Sequence, residues 1–243
     1  MKKILRLNAV TGKYSFKDES EEWKYLGGRS LISTILTQEV NPWAEPLGDM
    51  NKIIISLGII GGTMAPCSGR LSIGGKSPLT GGIKEANVGG TAGVRMAALG
   101  LKAIIVEGDS ITNNNQLKIV HICKDKVEFY PANDLAEKCN YEVVKKLREK
   151  FGKKSAVIVV GPAGIRRYSN STIAVTDIDG IPSRHAARGG LGAVLASKGV
   201  KAIVLADEKA DESEEYYDFT TFKKVSFEWM TKLAKSKSVL QNY

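Results

Sequence analysis

Cysteine, histidine and long apolar runs are scarce in this sequence, and each scarcity narrows the field. The three cysteines, at 67, 123 and 139, form no CxxC pair, which argues against a disulfide framework or an all-cysteine metal site. Only two histidines occur, His121 and His185, and there is no HExxH. Nothing in the order of Ser, His and Asp suggests a triad, and no His/Cys/Asp cluster has metal-ligand spacing. The longest apolar run, Ile53 to Ile60, is broken at Ser56 and Gly58, well short of the roughly 18 residues a membrane span needs. The opening Met1-Lys2-Lys3 leads straight into a strand-like pattern without a signal-peptide core, so the expected location is the cytoplasm. Aromatic residues make up 7% and do not interleave with the scattered basic residues, so nucleic-acid binding is not expected.

What is present is an ordinary globular balance. The chain has 243 residues, 43% hydrophobic and 25% charged, with 35 Lys and Arg against 26 Asp and Glu, a net +9. That length buries a sizeable core in one large domain or two small ones. Glycine is the informative residue. Doublets stand at 27–28, 61–62, 74–75, 81–82, 89–90 and 189–190, embedded among Ile, Val, Leu and Ala. In such a framework glycine marks positive φ or a close approach of backbone to another segment or to a ligand.

Residues 3 to 17 read as a hairpin turning at Thr11-Gly12-Lys13, followed by helical stretches carrying Trp23 and Leu26, then Leu31, Ile32, Ile35 and Leu36 up to Pro42. From there one plan is used twice. The first copy, about 52–108, runs from the strand stretch Lys52–Gly58 through a glycine-laden loop to Gly89-Gly90. A small-residue helix and the strand Lys102–Val106 close it. The second, about 155–207, runs from Ser155–Gly161 through another polar stretch to Gly189-Gly190, a small-residue helix and Lys201–Leu205. Its closing strand repeats the first one 99 residues later, the self-similarity that points to a two-fold body. Between the copies lie a second hairpin, Gln116–Val120 with Lys126–Tyr130, and a helix from about Asn140 to Gly152. Beyond residue 207 an acidic connector leads to an amphipathic helix with Phe222, Val225, Trp229 and Leu233 on one stripe. The predicted class is α+β, internally duplicated, with two related β-sheets and short helices.

Two stretches carry chemistry suited to an anion. Residues 65–90 combine Arg70, Lys76, several hydroxyls, Asn87 and the Gly89-Gly90 doublet. Guanidinium groups give bidentate contact to phosphate, and bare peptide amides add donors. Gly75-Lys76-Ser77 is not a P-loop, because position 70 is Arg and Pro78 follows. Residues 183–194 repeat the logic with Arg184, His185 and Arg188 before Gly189-Gly190. Gly190-x-Gly192 begins a dinucleotide fingerprint, but Leu195 stands where its third glycine belongs. Surface arginines and plain glycine turns would explain the same residues without a ligand, and Asp177 with Asp179 reads as a turn.

Arg70 with Ser77-Pro78-Leu79-Thr80-Gly81, then Ala86-Asn87-Val88-Gly89-Gly90, Gly161-Pro162-Ala163-Gly164 and Arg188-Gly189-Gly190-Leu191-Gly192-Ala193-Val194 occur in order with compatible spacing. Together with Leu26-Gly27-Gly28-Arg29, they make residues 1–207 resemble the N-terminal domain of the aldehyde ferredoxin oxidoreductase family. The resemblance implies a saddle of two sheets carrying a tungsten or molybdenum bis-pterin cofactor. It implies cofactor contacts from Arg70, Lys76, Asn87, Gly89, Gly90, Arg184, His185 and Arg188. It further implies a bridging magnesium held by the main-chain carbonyls of Asn87 and His185. The family oxidises aldehydes to carboxylic acids and passes electrons through a [4Fe-4S] cluster to ferredoxin. The cluster ligands and catalytic residues of the family lie in later domains with no counterpart here, so residues 208–243 would lead to missing C-terminal domains or a separate catalytic subunit. The chain alone is expected to be inactive, and a homo-oligomer is left open. The alternative reading is a non-catalytic assembly module, or a phosphate- or nucleotide-binding module, that retains the fold.

Overall fold

The computed structural model describes residues 2–111, 116–209 and 216–236. The expected acidic connector falls largely on 210–215, outside the described residues. A hairpin of β1 (Lys3–Asn8) and β2 (Lys13–Asp18) precedes a 3-10 turn at Glu21–Trp23 and helix α1 (Gly28–Glu39). Strands β3 (Ile53–Leu57), β4 (Leu71–Lys76) and β5 (Ile83–Val88), helix α2 (Ala92–Ala98) and β6 (Leu101–Val106) follow. The sequence of elements then recurs: β7 (Lys118–Ile122), β8 (Val127–Pro131), a 3-10 turn at Asn133–Leu135, α3 (Asn140–Phe151) and β9 (Ala156–Val160). After the short α4 (Pro162–Ile165) come β10 (Ile173–Val175), β11 (Arg184–Ala186), α5 (Leu191–Ser197) and β12 (Val200–Leu205), and α6 spans Phe219–Lys235.

The two sheets have one topology. The first orders its strands β2-β1-β6-β3-β4-β5, the second β8-β7-β12-β9-β10-β11. In each, the first strand of the hairpin runs parallel to the last strand of the repeat, and every other pairing is antiparallel. The equivalence therefore takes in the hairpins and the helices after them, not only the stretches from β3 and β9 onward. Even the irregularities repeat, since the register skips Lys102 in β6 and Lys201 in β12. Both are buried. Each ammonium turns back to cap a 3-10 turn: Lys102 meets Glu19 and the carbonyls of Trp23 and Lys24 at 2.6 and 2.9 Å. Lys201 meets those of Ala136 and Lys138 at 3.2 and 3.3 Å. With no carboxylate bonded to it among the described residues, burial pushes Lys201 down to about 8.

Hydrophobic patterning explains the layers. Ile53, Ile54 and Ile55 are all wholly buried, because β3 has protein on both faces, and each contributes about 1.5–3 kcal/mol. Helix α1 lays Leu31, Ile32, Ile35 and Leu36 on the outer face of the first sheet, against Ile4, Ile54, Ala103 and Ile105. Helix α3 covers the second sheet in the same way with Val143, Val144 and Leu147. Helices α2 and α5 lie between the sheets, each packed on strands of both, which is why their residues are small: Gly93 has its Cα against the Gly69 carbonyl, and a Cβ there would lie 2.1 Å from that oxygen. The reading of 58–89 as loop is corrected by β4 and β5. Gly74-Gly75 hid β4, and Gly74 is there because a Cβ would meet Ile32 of α1 at 2.5 Å.

One charged cluster ties α1 to the sheet. Arg6 donates to Glu39 and Glu107, and Lys52 donates to the same two carboxylates at 2.6 and 2.5 Å. Burial opposes the charge on Glu39, but hydrogen bonds from Arg6 and Lys52 outweigh it and hold its carboxyl below the usual range. A depressed carboxylate stabilises the fold fully above its ordinary value of about 4.3, and that stabilisation is lost as pH falls through the lower folded value. Glu39→Gln is accordingly expected to lower the melting temperature at pH 7 and to flatten the acid limb of the stability profile. A melting series from pH 7 to pH 3 on both proteins checks it, and parallel curves would contradict it.

Candidate functional site

Edge strands β5 and β11, equivalent in the two repeats, lie beside each other and bring the sheets together. Two reciprocal crossings fasten this seam. Ser77, directly after β4, donates through Oγ to the Gly189 carbonyl at 2.7 Å. Thr176, directly after β10, accepts at its carbonyl from the Thr91 amide at 2.8 Å and from Thr91 Oγ1 at 3.1 Å. Each glycine doublet is thus held by the hydroxyl-bearing residue that leaves the other sheet. Gly90, at φ +110°, packs so tightly that a Cβ would sit 2.4 Å from the Thr176 carbonyl oxygen. Gly189, at φ +80°, faces the stem of Lys84 from β5. Lys198, which ends α5, adds a third fastening by donating to the carbonyls of Gly48, Asp49 and Gly108 at 2.9, 3.0 and 2.8 Å. Burial pushes it down to about 8.

Most of the residues singled out in the sequence gather along this seam. Arg70 enters β4 and donates from Nε to Asn87 Oδ1 on β5. Two residues on, Gly89 has no side chain, and a Cβ there would stand 3.4 Å from Arg70 Nη1. On the neighbouring β11, Arg184 and His185 are exposed, and His185 Nδ1 lies 2.8 Å from Thr172 Oγ1. Arg188 follows at φ +68°, also exposed. Among the described residues, no carboxylate comes within ion-pair distance of Arg70, Arg184 or Arg188. Asp177, seven residues before Arg184, is spent on the expected turn: it accepts from the Ile181 and Asp179 amides and from Ser183 Oγ at 2.9, 3.0 and 2.5 Å. Guanidinium groups on adjacent strand edges with no ion-paired carboxylate among the described residues are suited to a multiply charged anion.

Lys76 does not join them. It stands at the far end of β4 from Arg70, about 20 Å along an extended strand, and its ammonium turns under the C-terminal end of α1 to the Pro42 carbonyl. Two contributors escaped the sequence reading, Ser77 and Thr176. The signal was there: they are hydroxyl residues 99 positions apart, the offset that also relates Lys102 to Lys201. His121 is structural, stacked 4.4 Å from Phe151 and 3.3 Å from Glu128. No group of three His, Cys, Asp or Glu among the described residues is arranged to hold a metal ion, and no helix among them is long and apolar enough to cross a membrane.

The family model for the N-terminal domain of aldehyde ferredoxin oxidoreductase matches residues 4–207. A tungsten-containing aldehyde ferredoxin oxidoreductase of Thermococcus kodakarensis is 36% identical over 210 residues, covering 85% of this chain and 33% of its own length. That of Pyrococcus furiosus is 34% identical with the same coverage. The chain thus spans about a third of the relatives it matches. Among solved structures, the active-site complex BamBC of benzoyl coenzyme A reductase, with 1,5-dienoyl-CoA, superposes with a TM-score of 0.78 at 27% identity. That match covers 86% of this chain and 31% of the other. With two duplicated sheets, an arginine-lined seam where they meet, and a match over nearly its whole described body, the chain belongs to the aldehyde ferredoxin oxidoreductase family, of which it carries the N-terminal domain.

Proposed function

We propose that this chain is the platform that holds a tungsten or molybdenum bis-pterin cofactor in a cytoplasmic oxidoreductase that converts aldehydes to carboxylic acids. The observation that carries the reading is the set of exposed guanidiniums along the seam, Arg70 beside a bare Gly89, Arg184 on the adjoining edge, and Arg188 further along toward Ser77. That donor set fits a cofactor with two phosphorylated arms. Each repeat offers one arginine-bearing edge, and the missing side chain at Gly89 leaves the Arg70 guanidinium lying against bare backbone there.

The residues divide the work of binding and orientation. The Asn87 amide oxygen holds Arg70 by its Nε, which leaves both terminal nitrogens of the guanidinium for an anion. Thr172 fixes the His185 ring from the side, so the main chain of 184–186, already paired to β10, is presented in one conformation. The main-chain carbonyls of Asn87 and His185 would hold a magnesium ion, which would supply positive charge to the cofactor's anionic arms. Lys76, committed to Pro42, is left out of this set. When bound, such a cofactor supplies the two-electron redox chemistry, while the protein contributes position and electrostatics.

Turnover requires more polypeptide, corresponding to the other two thirds of the relatives, to bring the [4Fe-4S] cluster, the groups around the aldehyde and the path to ferredoxin. The exposed Phe219, Val225, Phe227, Trp229 and Met230 of α6 suit a junction with it. Purification of the chain together with that polypeptide is expected to yield a complex carrying tungsten or molybdenum and pterin.

A further inference from the structure

The seam leaves one buried charge unexplained, that of Lys76. Its residue is 9% exposed, and its ammonium has one hydrogen-bond partner among the described residues, the neutral Pro42 carbonyl. An ammonium carries three donors, and a buried charge without a counter-charge is costly. Lys76 lines a cavity of about 260 Å³ whose other walls carry no charge: Leu36, Val40, Pro42 and Ile83 are apolar, Gly81 and Gly82 are bare, and Thr37 and Asn41 are polar but neutral.

The walls are fixed in advance. Wholly buried Asn51 accepts from the Lys76 amide at 3.0 Å and donates to its carbonyl at 2.9 Å. The same amide group holds the Pro46 carbonyl at 2.5 Å. The turn at 41–44 is closed by an Ala44 amide bond to Asn41 and by the Asn41 side chain on the Trp43 amide, at 2.9 and 2.8 Å. At Gly82, on the rim, an added Cβ would meet nothing within 4 Å, so the mouth is open.

We propose that this cavity is a binding site for a small monocarboxylate with a short apolar chain, its carboxylate on Lys76 Nζ and its chain on Leu36, Val40 and Ile83. A lone ammonium among neutral walls matches a single negative charge, and the apolar side formed by Leu36, Val40, Pro42 and Ile83 favours an alkyl tail over a hydrated inorganic ion. The site is separate from the arginine seam and does not depend on what the seam holds. A carboxylate at the end of a polypeptide offers the same chemistry, and the test separates the two sources.

The probe is sodium hexanoate, titrated into the 243-residue chain and followed by backbone amide resonances. Saturable shifts centred on Val40, Gly81, Gly82 and Ile83 are expected, with 1-hexanol and hexylammonium binding at least tenfold more weakly. Lys76→Met is expected to weaken hexanoate at least tenfold. The wild-type comparison of the three probes decides the matter even if that variant fails to fold. Hexanol binding as well as hexanoate, shifts centred elsewhere, or an unchanged affinity in a folded Lys76→Met protein would overturn the proposal. N-acetyl-Leu-Leu binding more than tenfold tighter than hexanoate would also overturn it, by giving the seat to a chain terminus.

Discussion

Replacing Arg70 and Arg184 together with alanine is expected to abolish cofactor retention while leaving the fold intact. Both side chains are exposed and neither forms an ion pair among the described residues, so their removal costs the folded state little, within about 0.5 kcal/mol for surface sites of this kind. Against a phosphorylated ligand, each guanidinium supplies charge-assisted hydrogen bonds worth about 1.5–3 kcal/mol. That is roughly tenfold to a hundredfold in affinity for each arginine. The single variants should lose cofactor partially on gel filtration and the double variant completely, at an unchanged melting temperature of the cofactor-free protein. Arg70→Lys should recover only part of the loss, because an ammonium lacks the planar fork that Asn87 aligns. A double variant that keeps its full complement of metal and pterin would contradict the assignment of the seam.

The second large effect concerns the seam as a joint. Gly90→Ala places a methyl group 2.4 Å from the Thr176 carbonyl oxygen and 3.1 Å from Val175 Cγ1, at φ +110°. The oxygen cannot retreat without breaking its bonds from the Thr91 amide and hydroxyl, at 2.8 and 3.1 Å. Backbone strain of about 1–3 kcal/mol adds to overpacking of about 1–3 kcal/mol, enough to remove much of a domain's typical margin. Gly100→Ala is the matched control: its φ of +70° carries the strain, but nothing lies within 4 Å of the added atom. Urea denaturation should give Gly90→Ala a far lower midpoint than Gly100→Ala. Equal midpoints would mean that the doublets serve conformation alone and not the crossing of the sheets.

The contrast between those glycines marks how far the sequence could be read. The repeat was visible where strands are continuous and apolar, at Ile53–Leu57 with Ala156–Val160 and at Lys102–Val106 with Lys201–Leu205. It was not visible in the hairpins, because their membership depends on the parallel pairing of β1 with β6 and β7 with β12. Those pairings are set by tertiary packing and leave no local period. Strands β4 and β5 were lost inside a glycine-rich stretch, since Gly74 answers to a helix distant in the chain, at Ile32. The same limit governs the site. Arg70, Asn87, Gly89, Arg184, His185 and Arg188 were legible as motifs, and their placement along one seam follows from the edges β5 and β11 lying side by side. Lys76 looked like part of the same anion-binding stretch, but six residues of extended chain carry it to the other end of its strand and under α1. Proximity along a chain is a poor guide to proximity in space once that chain is a strand.

Elemental and pterin analysis of the protein, purified with the polypeptide that supplies the remaining two thirds of its relatives, tests the central claim most directly. Tungsten or molybdenum in stoichiometric amount with a pair of pterins, lost in the Arg70 and Arg184 double variant, is the predicted result. A folded, associated complex with neither metal nor pterin would contradict it.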